Sequence, residues 1–161
     1  IRSRCRRLEF QPLDNDAMTS VLARELPEIS AGERDRIIAM AGGSVGRAMA
    51  YALLDLAPLE EQALAILRDG DRDNARRSKL AQSLGARAAA ERYAAFLAMA
   101  PAIIAREARR LDGSARRRAL DAYARARETG RLAPRLSLDP AATVFQLGTI
   151  LASVAPQGTP R

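Results

Sequence analysis

Apolar residues recur along most of this chain at intervals of three and four, the spacing that lines one face of an α-helix. The gaps between those runs fall at glycines, prolines and capping residues. Asp14 caps a first run in which Met18, Val21, Leu22 and Leu26 share a face, and Pro27 stops it. Ser30 and Glu33 have capping-box spacing, after which Ile37, Ile38 and Ala41 turn inward up to Gly42-Gly43. A third helix opens at Ser44 and runs through Met49, Leu53 and Leu56 to a break at Pro58. Further helices are predicted over 59–67, over 74–84 with Gly85 as the stop, over 86–111, over 114–129 with Gly130 as the stop, and from Asp139-Pro140 to about Val154. Pro101 predicts a kink or division of the segment 86–111, and Pro134 a loop over 132–138.

The start of the chain departs from this period. Leu8 and Phe10 alternate with Arg7, Glu9 and Gln11, the period-two pattern of a strand, and Pro12 closes it. A strand at a chain end has no partner, and Ile1 is not an initiator methionine, so a sheet is expected to precede this sequence. The predicted fold class is all-α with that strand left over. A three-helix unit spans 13–57, a larger helical bundle spans 58–155, and a tail of Pro, Gly and Thr at 156–161 is expected to be mobile.

Composition narrows the chemistry. Hydrophobic residues make up 48% and aromatics 4%, with no Trp, so the core is built from Ala, Leu, Ile, Val and Met. The expected Tyr93/Phe96 pair belongs to that core. With one cysteine, Cys5, and no histidine, the chain can form neither an internal disulfide, nor a Cys/His zinc site, nor a histidine-based triad. The pattern Gly-x-x-x-x-Gly-Lys-Ser/Thr is absent, and Lys79, the single lysine, has no glycine setting. No cofactor, no metal and no catalysis are expected of this chain. Apolar runs fall short of the roughly 20 residues that span a bilayer, and the early arginines break any signal-peptide pattern, so a reduced cytoplasmic setting is expected.

Two short motifs carry a resemblance. Ser3-Arg4-Cys5 resembles the Ser-Arg-Cys motif of bacterial clamp-loader AAA+ subunits. That resemblance implies that Arg4 is an arginine finger, acting in trans on an ATP site of a neighbouring subunit, and that 1–12 is the end of an AAA+ core. A guanidinium suits the role, because it is always charged and its fork can hold phosphate oxygens. Gly43-Ser44-Val45-Gly46-Arg47-Ala48 is similar to the sensor-2 region of the same family. There an early helical arginine touches nucleotide. Here Gly46 occupies that register and Arg47 falls one residue late, about 100° around the helix. The departure favours the delta-prime branch of the family over gamma/tau.

The resemblance implies that 13–57 is a lid domain and 58–155 a collar domain. The collar would assemble with gamma/tau and delta subunits into a hetero-pentamer of the DNA polymerase III holoenzyme, which loads the sliding clamp onto primed DNA. The last helix supplies a candidate contact. Val144, Leu147 and Leu151 lie on one stripe and Phe145, Thr149 and Ala152 on another, so two sides call for cover: the second is expected to face a neighbouring subunit, the alternative being a helix central to its own bundle and covered from within it. The alternative is a helical DNA-binding or adaptor module, supported by a net charge of +7 and by Arg106, Arg109, Arg110, Arg116, Arg117 and Arg118 around Asp112-Gly113. No interleaved aromatics accompany that basic cluster, so its contact with DNA is expected to be weak or indirect.

Overall fold

The structure is a computed structural model and describes residues 10–156. The described residues are all-α, with eight helices and no strand. They form two compact units that meet in sequence between Asp55 and Leu56. The expected strand over 1–12 falls mostly outside the described residues, and Phe10 to Leu13 have no regular secondary structure.

The first unit holds α1 (Asn15–Glu25), α2 (Ala31–Ala41) and α3 (Val45–Leu53). Each begins on a side chain that accepts a first-turn amide: Asp14 from Ala17 at 2.8 Å, Ser30 from Glu33 at 3.2 Å, and Ser44 from Arg47 at 3.4 Å. These bonds satisfy donors that a helix start otherwise leaves free. Met18, Leu22, Leu26, Ile37, Ile38, Ala41 and Ala48 form the core. The third helix is shorter than expected. It ends at Leu53, which is 70% exposed, and Leu56 is buried in the second unit instead.

The second unit holds α4 (Ala57–Asp69), α5 (Ala75–Gly85), a 3-10 turn over Arg87–Ala89, α6 (Ala90–Ala108), α7 (Gly113–Arg135) and α8 (Pro140–Ala152). Pro58 opens α4 rather than merely breaking α3, since proline fits the first helical turn, where its missing N–H has no partner to lose. No division occurs at Pro101, and neither the stop at Gly130 nor the loop at Pro134 occurs. Pro101 is buried within a continuous α6, and α7 runs through Gly130 and Pro134 to Arg135. Packing explains both. The α6–α7 pair is one of the two most extensive in the unit, and at their crossing a Cβ on Gly130 would lie 2.8 Å from the Leu97 carbonyl oxygen. Tertiary contact of this closeness outweighs a lost ladder bond or a glycine's intrinsic cost.

The α5–α8 pair is the other extensive contact. Glycines bracket it: a Cβ on Gly85 would meet that of Ala141 at 2.9 Å, and one on Gly148 would meet the Arg77 side chain at 2.6 Å. Contrary to the apolar-run count, Arg87–Ala108 has a length and mean hydropathy (1.3) that would allow a bilayer crossing. In the fold it is a core helix, with Phe96, Leu97, Ile103 and Ile104 buried.

Candidate functional site

Arg4, with Ser3 and Cys5, lies outside the described residues. The Gly43–Ala48 motif is described and forms the turn between α2 and α3. Gly42 and Gly43 both take positive φ (54° and 75°), the left-handed region that glycine enters without cost. Gly43 is also a point of close approach. Its carbonyl accepts the Leu13 amide at 2.9 Å, and a Cβ there would meet the Leu13 oxygen and Pro12 Cβ at 2.6 Å. The turn therefore holds the segment entering α1. Ser44 is the N-cap of α3, while Gly46 faces open space. Arg47 folds back on its own turn and donates to the Gly42 carbonyl at 3.4 Å.

The stripe on α8 is partly covered from within the same unit. Phe145 and Ala152 are half-buried and Thr149 is exposed. The Arg77 guanidinium lies 5.3 Å from the Phe145 ring centroid, a cation–π contact. It also donates to Thr149 Oγ1 at 2.9 Å. The Thr149 hydroxyl in turn donates to the Phe145 carbonyl at 3.1 Å.

Arg77 is held in place by the turn between α4 and α5. Its Nε donates to Asp71 Oδ2 at 2.9 Å, and Nη2 donates to the Asp71 carbonyl at 2.7 Å and to Asn74 Oδ1. Asp71 also accepts the backbone amides of Arg76 and Arg77, so it closes the first turn of α5 although Asn74 stands at the N-cap. Burial, the strongest single influence on the Asp71 carboxyl, raises its pKa. The two amides, together with the hydrogen bond and charge of Arg77, outweigh burial and hold it below the usual Asp value. This network was not read from the sequence. The only signal was the density of polar residues in Asp71-Arg72-Asp73-Asn74, which reads as an ordinary loop.

The structure also divides the basic cluster. Arg106 pairs with Glu60 at 2.7 Å, and Arg110 lies 3.9 Å from Glu107. Arg118 is half-buried, whereas Arg109, Arg116 and Arg117 are exposed. The charge itself is unevenly shared. Eight basic and eight acidic residues cancel in 1–55, so the whole surplus of seven falls in 56–161. Much of it lies on α7, which carries seven arginines against Asp121 and Glu128. No group of metal-binding side chains occurs among the described residues. No family model, no curated protein and no solved structure matches this chain.

Proposed function

We propose that this chain is the lid and collar region of a clamp-loader subunit of the delta-prime kind, working in the cytoplasm with gamma/tau and delta subunits. In this reading Arg4 acts in trans at a neighbour's ATP site and the chain hydrolyses no nucleotide itself. The second unit serves assembly, with the Thr149 and Ala152 edge of α8 as the surface left for a neighbour. One observation carries the reading: a three-helix unit whose third helix opens on Gly43-Ser44, with Gly46 where an ATPase subunit would place its arginine. The two-unit helical organisation supports it.

The test is co-purification with gamma/tau and delta subunits. A stoichiometric complex on size exclusion is expected, with DNA-stimulated ATPase that falls when Arg4→Ala is introduced and assembly that does not. Failure to co-elute sinks the assembly role, and an unchanged ATPase removes Arg4 from the mechanism. The charge on α7 favours a second reading, a DNA-binding module. Its mark would be duplex affinity that falls steeply with salt as counterions are released.

A further inference from the structure

The seam between α6 and α7 opens into a groove of about 340 Å³. Ala94, Leu97, Ala98 and Pro101 line it from α6, and Gly130 and Pro134 from α7. These side chains are too small to fill the seam, and Ala94 and Ala98 are exposed in it. Pro101 and Pro134 have no amide hydrogen, so the carbonyls of Leu97 and Gly130, four residues earlier, lose their ladder donors. Gly130 packs against one of these carbonyls, so the two backbones approach closely at that point. The groove lies beside this close crossing.

Its rim is cationic. Arg127 and Arg131 line the α7 side, and Arg135 follows one turn on. Arg127 is exposed and forms no ion pair among the described residues, while Arg131 is held by Glu128 at 2.6 Å. An apolar floor beneath a cationic rim asks for a ligand that is itself two-sided. A nucleic acid would engage the rim and leave the floor unused, because no aromatic side chain lines the groove for base stacking. An acidic amphipathic helix meets both demands. Its apolar face can cover Ala94, Ala98 and Pro134, which are exposed, while its carboxylates reach Arg127.

We propose that the α6–α7 groove docks an acidic amphipathic helix of a partner protein, with Arg127 selecting its charge. The test is fluorescence anisotropy on the whole chain, with a synthetic helix carrying leucines on one face and glutamates on both flanks. Saturable binding is expected, with none for the same helix carrying lysines. Ala98→Trp, which fills the groove from an exposed position, and Arg127→Glu, which reverses the rim, should each weaken binding on the order of tenfold or more. The double change Arg116→Glu/Arg117→Glu, elsewhere on α7, should leave it unaltered. Any of four results overturns the proposal: no saturable binding, an equal loss from the Arg116/Arg117 pair, tighter binding of duplex DNA that Ala98→Trp leaves intact, or self-association of the free chain that Ala98→Trp abolishes.

Discussion

In the first unit, all three helices start on a side chain that bonds to the first turn: Asp14, Ser30 and Ser44. In the second, α8 does so through Asp139, whose carboxylate accepts the Ala142 amide at 2.7 Å, and α5 does so from outside the N-cap position, through Asp71 and Asp73. No cap bond comes from Leu56, Asn74, Ala89 or Asp112, the residues that stand before α4 to α7. The first unit's helices are therefore marked by neighbours in sequence. In the second, α4, α6 and α7 have no such local mark and depend on packing with residues far away or across a seam. The first is also neutral, whereas the second carries the entire charge surplus. Local punctuation suffices for a small three-helix unit, while the larger bundle takes its shape from tight crossings.

The clearest way to break this contrast is Asp71→Ala. It leaves the Arg77 side chain, 12% exposed, without its buried carboxylate, and frees two amides of α5. Removing one partner of a buried pair costs about 3–5 kcal/mol, which urea unfolding would measure. Hydrogen exchange should quicken in α8 as well as α5, because Arg77 also holds Thr149. Protection lost from α5 alone would mean that the network is a local cap like those of the first unit. The pH dependence sharpens the test. With its folded pKa lowered, Asp71 contributes fully above the unfolded value of about 3.9, and its contribution is lost as pH falls through the lower folded value. The stability gap between the wild type and Asp71→Asn should therefore narrow below roughly pH 4.

Next in size is Met18→Ala, in the core of the first unit, where the side chain is fully buried. Such truncations cost about 2–5 kcal/mol, a large share of what so small a unit can hold. Calorimetry should show the first unit's transition shifting down or vanishing while the second's stays in place. A single transition that moves as a whole would mean that the two units unfold as one.

The sequence made most of the first unit legible, because its signals are local. Asp14, Ser30 and Ser44 were each read as caps, and each bonds to its first turn. The Asp139-Pro140 start of α8 was legible for the same reason. Misreadings cluster where a long-range contact overrides a local rule. Pro101, Gly130 and Pro134 are breakers by propensity, yet all three sit inside helices, along a seam whose closeness depends on Gly130. The α8 stripe was legible as apolar, but its cover was not, because Arg77 lies 72 positions from the Thr149 it bonds. No periodicity in one helix shows which arginine of another will reach it.

Gly130→Ala tests the seam directly. The added Cβ would sit 2.8 Å from backbone, the Leu97 carbonyl oxygen, which cannot swing aside as a side chain could. Replacing a helical glycine by alanine normally stabilises. Here overpacking should reverse the sign and cost about 1–3 kcal/mol. A variant more stable than the wild type would show that α6 and α7 can separate freely, and would remove crossing geometry as the reason α7 continues past residue 130.

The smallest effect comes from Gly46, set against its neighbour Gly43 in the first unit. At Gly46 an added Cβ meets nothing within 4 Å, and the residue lies in the first turn of α3. Glycine gives up more backbone freedom on folding than alanine does, so Gly46→Ala should stabilise by up to about 1 kcal/mol. Gly43→Ala, three residues earlier, should destabilise. Its φ of 75° disfavours any Cβ, and that Cβ would strike the Pro12 Cβ and Leu13 oxygen at 2.6 Å. Opposite signs from two glycines in one turn would show that the motif is set by the approach of 12–13 to Gly43 and that Gly46 is free to vary. The freedom at Gly46 bears on the proposed function, since a position with open space could accept the long arginine side chain that the proposal expects at that register of an ATPase subunit. Loss of stability in Gly46→Ala would show a backbone constraint at that register, and the absence of an arginine there would then lend the proposed function no support.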